Sequence, residues 1–137
     1  MPQLSPYINF EGQAKAALTF YQQCFGGELS FQTVGESPIA DQFPEEMKPH
    51  IFHGSLNSGS ISILASDLSG PEGNIKGNNH SLALMCDTED EINSLFAKLS
   101  ESGQVFQPLA KQFWGAIFGM FTDKFGVRWM LNCYVSE

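Results

Sequence analysis

Hydrophobic and polar positions along this chain alternate in short runs, and twice the alternation gives way to a helical stripe. Leu4 to Phe10 reads as a strand, with Ile8 and Phe10 on one face and Tyr7 and Asn9 on the other. Gln13 to Phe25 reads as an amphipathic helix, because Ala14, Ala17, Leu18, Tyr21 and Phe25 recur at helical spacing. Gly26-Gly27 ends it. Glu28 to Val34 is a second strand, followed by a turn-rich loop from Gly35 to Pro49 with three prolines. Ile51 to Leu56 and Ser60 to Ser66 form a hairpin across Asn57-Ser58-Gly59. The stretch Asp67 to Asn79 holds three Gly, three Asn and one Pro, and this composition predicts a linker.

Beyond the linker the pattern restarts. Ser81 to Cys86 is a strand, and Thr88 with Glu91 offers a capping box for a helix striped by Ile92, Leu95, Phe96 and Leu99. Gly103 ends that helix, and Gln104 to Gln107 forms the next strand. The last quarter, Phe113 to Tyr134, reads as one aromatic hairpin turning at Asp123-Lys124-Phe125-Gly126. Trp114, Phe118 and Met120 share a face of its first strand. In its second strand Val127, Trp129 and Leu131 oppose Arg128, Met130 and Asn132. The first of those faces has the character of a core, and the second that of a ligand wall.

One constant shift superposes Phe20 on Phe96, Gly27 on Gly103, Leu29 on Val105 and Glu11 on Asp87. The chain therefore reads as two modules of strand, helix and three strands: residues 1–66, the linker 67–79, and residues 80–137. The fold class is α+β. Each half alone exposes one apolar sheet face, so the two are expected to form a single domain, residues 1–137. Helices lie outside, and a curved sheet presents a concave inner face to a ligand.

Composition narrows the function. A chain of 137 residues with 42 % hydrophobic and 16 % charged content is an ordinary globular protein. Its net charge of −8, with only seven Lys and Arg, argues against nucleic acid and anionic membranes, since phosphate binding needs clustered cations. No run is apolar for long enough to span a bilayer, and the first residues lack the regions of a signal peptide. Cys24, Cys86 and Cys133 are odd in number and widely spaced, which fits buried thiols in a reducing compartment, so a cytoplasmic location is expected. Ser55 and Ser66 have no His–Asp relay in view, and Gly26-Gly27 fits no dinucleotide or phosphate-loop spacing.

The residues resemble those of a known family. Leu4 to Phe10, Ala17-Leu18-Thr19-Phe20-Tyr21, Phe25-Gly26-Gly27-Glu28, Ala40-Asp41-Gln42 and Met47-Lys48 are similar to the PhnB-like branch of the vicinal oxygen chelate superfamily. That superfamily also contains glyoxalase I, extradiol dioxygenases and bleomycin-resistance proteins. The most specific match is Phe113-Trp114-Gly115-Ala116 together with Thr122 to Trp129. The resemblance implies two βαβββ modules, a homodimer and a small-molecule site in the concave sheet. It does not fix a substrate, because the fold hosts many chemistries. Some proteins of this kind carry a ubiquinone-methyltransferase label, but nothing in this chain looks like a loop for S-adenosylmethionine.

Metal-dependent members of that superfamily place His or Glu ligands on the first and last strands of each module. The matching positions here fall near Pro6 or Tyr7, near Leu64, on Ser81 beside His80, and on Met130. Leucine and methionine are no ligands for a hard or borderline divalent ion. No metal and no other cofactor is therefore expected. His50 is expected to be solvated and His53 to be a hydrogen-bonded residue at a strand end. The sharper alternative makes His53 a titratable group at the cavity.

The expected function is the binding of a small organic molecule. Tyr7, Ser81 and Asn132 would orient it, Arg128 would meet an anionic group, Trp114 and Met130 would supply apolar contact, and Asn9 and His53 complete the candidate set. Two alternatives stand beside it: a metal-dependent lyase or dioxygenase, and a metal-free enzyme using His53 as base.

Overall fold

The structure, a computed structural model, describes residues 2–134. The chain falls into two compact units, Met1–Ile75 and Lys76–Glu137. The first contains β1 (Tyr7–Asn9), α1 (Ala14–Phe25), β2 (Glu28–Thr33), β3 (Ile51–Ser58) and β4 (Ile61–Ser66). The second contains β5 (Leu82–Met85), α2 (Glu89–Leu99), β6 (Gln104–Lys111), β7 (Ala116–Thr122) and β8 (Arg128–Tyr134). Each is the expected βαβββ module. The sheet orders are β1-β4-β3-β2 and β5-β8-β7-β6, with a parallel pair at β1·β4 and at β5·β8 and the other pairs antiparallel. No helix among the described residues is long and apolar enough to cross a membrane.

In each unit the helix covers one sheet face, and a glycine in the third strand marks where it lies. A Cβ built on Gly54 would sit 3.0 Å from Leu18 of α1, and one built on Gly119 would sit 2.6 Å from Phe96 of α2. Strand alternation then assigns every other residue. Leu56, Ile63 and Ala65 are buried on the helix side of the first sheet. Phe121, Trp129, Leu131 and Cys133 are buried on that of the second. The Phe96 ring meets Phe121 edge-on at 4.9 Å between centroids. Gly119→Ala is expected to cost about 1–3 kcal/mol by overpacking, read as a lower urea midpoint. Trimming the partner in Gly119→Ala/Phe96→Leu should recover part of the loss.

Gly27 and Gly103, paired by the repeat, do equivalent work. A Cβ on Gly27 would collide with the backbone of Asn57 and Ser58, and one on Gly103 with that of Thr122 and Asp123. Both let the chain leaving a helix pass close to the neighbouring hairpin.

Several boundaries differ from the sequence reading. The β3–β4 turn is Gly59-Ser60, since Ser58 pairs with Ile61 and Gly59 takes φ 59°. The loop 35–49 is built of three short 3-10 turns, Val34–Glu36, Ala40–Gln42 and Glu45–Met47. β6 runs on to Lys111 through two register shifts, the second of which spans Pro108. An edge strand tolerates a residue without N–H there. Thr88 caps α2 as expected, its hydroxyl accepting from Glu91 N at 3.1 Å. The Glu91 carboxylate, however, takes the N–H of Asp87 rather than that of Thr88.

The larger difference is Asp67, which opened the expected linker. It is buried at 7 % exposure. Its Oδ1 accepts from Gly12 N and Ala14 N at 2.9 Å each, and its Oδ2 from Ile51 N at 2.8 Å. The adjoining Gln13 makes no side-chain cap, so the start of α1 is capped from the far end of β4.

Candidate functional site

The helix-free face of each sheet carries the candidate residues. In the first unit Tyr7 lies opposite Leu64, which lies opposite Ser55, which lies opposite Ser30. One rung on, Asn9 pairs with Ser66, and His53 pairs with Gln32. The Tyr7 and His53 rings approach to 6.4 Å between centroids on this face. Tyr7, Asn9 and His53 are exposed. Ser66 faces the same way but is spent on structure, its hydroxyl donating to Phe52 O at 2.8 Å and accepting from Leu68 N.

Neither histidine takes the role expected of it. His53 projects from β3 into the open, without a side-chain hydrogen bond among the described residues. His50, expected to be solvated, has its Nδ1 buried with no hydrogen-bond partner and packs beside Gly12. The cause is the preceding 3-10 turn, which folds His50 inward through the bond from His50 N to Met47 O.

In the second unit the face is formed by β5, β8 and β7. Met130 pairs with Ala83 on one side and Met120 on the other, and Asn132 pairs with Met85 and Phe118. Arg128 pairs with Thr122, and its guanidinium carbon lies 4.9 Å from the Phe106 ring centroid. Phe106 was not among the expected site residues. It lies at the bulged start of β6, and nothing in the local pattern marks it.

Two expected positions shift. The sequence pattern puts Trp114 on a strand, but in the structure it lies in the Gln112–Gly115 turn that precedes β7, closed by Gly115 N to Gln112 O and by Gly115 at φ 87°. Gly115 ends the strand pattern there, because a left-handed backbone suits a turn and not a ladder. The Trp114 ring still meets Phe118 edge-on at 5.8 Å, so its proximity to that face is as expected. Ser81 lies one residue before β5 and is exposed. It is Ala83 that stands beside Met130.

Two donors on the β8 face have no acceptor. Asn132 is 4 % exposed, and its Nδ2 is buried without a hydrogen-bond partner. The Nε of Arg128 is likewise buried and unpartnered, and Arg128 forms no ion pair among the described residues. A buried donor left unsatisfied costs about 1–3 kcal/mol, and each such group calls for an explanation.

The residues do not fit a divalent ion of the superfamily type. The cross-strand positions that would hold it carry Tyr7 and Leu64 in one sheet, and Ala83 and Met130 in the other. Among the described residues no three His, Cys, Asp or Glu side chains converge. His80 is engaged beside the site, its Nδ1 lying 3.0 Å from Asn79 Oδ1. Burial pushes the Cys86 thiol up to about 11, which disfavours its thiolate form.

Comparison with known proteins agrees with this architecture. A family model described as the Glyoxalase/Bleomycin resistance protein/Dioxygenase superfamily matches residues 6–131. Protein YjdN of Escherichia coli (strain K12) is 32 % identical over 138 residues, covering 94 % of this chain and 93 % of the relative. The crystal structure of protein PA1353 from Pseudomonas aeruginosa has a TM-score of 0.84 at 41 % identity, with 98 % of each chain covered. A PhnB protein from Bacillus cereus shares the fold, with a TM-score of 0.74 at 24 % identity over 96 % of this chain and 99 % of that one.

Proposed function

Because this chain belongs to the glyoxalase/bleomycin resistance/dioxygenase superfamily, we propose that it binds a small organic molecule on its helix-free sheet faces without a divalent ion. One observation carries the reading. The face of β8 and its neighbours offers methionine, phenylalanine and two unpartnered donors, where ion-dependent members offer imidazole and carboxylate. Such a surface holds and orients a ligand, since Met130, Met120 and Met85 adapt to its shape and the donors fix its direction. Tyr7, Asn9 and His53 in the first sheet, and Ser81, Trp114, Arg128, Met130 and Asn132 in the second, are the proposed contacts.

Elemental analysis of untagged protein tests this. Substoichiometric zinc, iron, manganese and nickel is the expected outcome, with no gain in thermal stability when each metal is added. Near-stoichiometric metal accompanied by lyase or dioxygenase turnover would replace this reading with the metal-enzyme one. The use of His53 as a base has less support, because no carboxylate is hydrogen-bonded to it to fix its orientation.

We also place the protein in a reducing, cytoplasmic setting, which its three free cysteines favour. We propose a homodimer as well. Val105 and Phe106 on the edge strand β6, with Phe113 and Tyr134, are large apolar side chains left exposed, and a second copy could cover them.

A further inference from the structure

We infer that the β8 face selects an elongated ligand, with an acceptor oxygen at one end for Asn132, an anionic group at the other for Arg128, and an apolar stretch between. The inference rests on the small-molecule reading above and narrows it to a class of compound. Arg128 and Asn132 point to the same side of β8, with Met130 between them. They are four positions apart along the strand, which sets their backbones about 13 Å apart, so one small ion does not satisfy both. A chain-like molecule can.

The middle of that span is apolar. Met130 lies against Met120, and Asn132 is flanked by Phe118 and Met85. Both donors are buried and lack a protein acceptor, and Asn132 is more than nine-tenths buried. In a folded protein such groups are normally paired. A cross-strand carboxylate would have been the simple solution for Arg128, but Thr122 stands opposite it. The Phe106 ring instead holds the guanidinium by its face, leaving the N–H edge for a planar acceptor. In a chain with 15 acids and only seven Lys and Arg, a guanidinium without an acid partner is a costly use of a cation unless an anion arrives. Entry requires side chains to move aside, and the flexible methionines beside both donors allow it.

Monoamides of straight-chain dicarboxylic acids test this, because their ends reproduce the two groups at adjustable spacing. The side-chain N–H signals of Arg128 and Asn132 and the methyl signals of Met120 and Met130 would be followed by NMR during titration. Sebacic acid monoamide is expected to shift both N–H signals along one saturation curve. Succinic acid monoamide is too short to reach both, and decanoate lacks the second acceptor. Each should bind at least about tenfold more weakly, the loss of one charge-assisted or buried hydrogen bond. Asn132→Leu should erase the advantage over decanoate, and Arg128→Met should weaken sebacic acid monoamide and decanoate alike.

If sebacic acid monoamide and decanoate move the methionine methyls equally while both N–H signals stay still, the two-ended specificity is wrong and the small-molecule reading stands. If none of the three compounds moves any of these signals at millimolar concentration, both fall.

Discussion

Replacing Trp129 by alanine is expected to destabilise the protein by about 3–5 kcal/mol, the range for removing a buried large aromatic side chain. Trp129 is 3 % exposed on the helix side of β8, opposite Phe121 on β7 and Leu82 on β5. Its indole also makes a polar contact, Nε1 donating to Asp123 Oδ2 at 2.9 Å. Asp123 is itself buried, and its other oxygen accepts from Phe125 N and Val127 N, which closes the β7–β8 turn. The substitution therefore opens a cavity and strips one partner from a buried carboxylate. Trp129→Phe separates the two effects. It keeps most of the volume and loses the hydrogen bond, with an expected cost of about 1–3 kcal/mol. Urea denaturation read by circular dichroism gives both values. A neutral Trp129→Ala would mean that the core side of β8 is inverted, and with it the placement of Arg128, Met130 and Asn132.

Asp67→Ala is the second large effect, expected at about 3–5 kcal/mol because two buried N–H groups and a part-buried one lose their acceptor together. The loss is concentrated in the first unit. Amide hydrogen exchange at Gly12, Ala14 and Ile51 should accelerate well before exchange in β7 and β8. Asp67→Asn keeps one acceptor oxygen and is expected to fall between the wild type and Asp67→Ala. Equal exchange throughout the chain would show that Asp67 is not the tie between α1, β3 and the end of β4.

These two residues show how much of the fold was legible. Trp129 could be read from the sequence because its role follows from alternation within its own strand, and the same holds for the stripes of α1 and α2. Gly27 and Gly103 could be matched by the repeat alone, and both admit the close approach that only glycine allows. Asp67 could not be read in the same way. It stands among glycines and asparagines, and its partners are far off in sequence at Gly12, Ala14 and Ile51. The same applies to His50, whose partly buried position follows from the preceding 3-10 turn rather than from spacing.

The candidate site divides along the same line. Sequence alternation placed Arg128, Met130 and Asn132 on one face, and the ladders with β5 and β7 place them there. It could not find Phe106 beneath the guanidinium, because a bulged edge strand breaks the two-residue period that makes faces readable. Nor could it find that two donors on that face lack acceptors, a fact that depends on every neighbour at once.

Periodicity alone thus determined the two βαβββ modules, the stripes of α1 and α2 and the core side of β1 and β8. The tertiary structure decided the cap on α1, the surroundings of the two histidines and the unpaired donors on β8. Local pattern reports which way a side chain points because the backbone repeat is local. What that side chain meets depends on segments brought together only by folding, and no spacing along the chain encodes it.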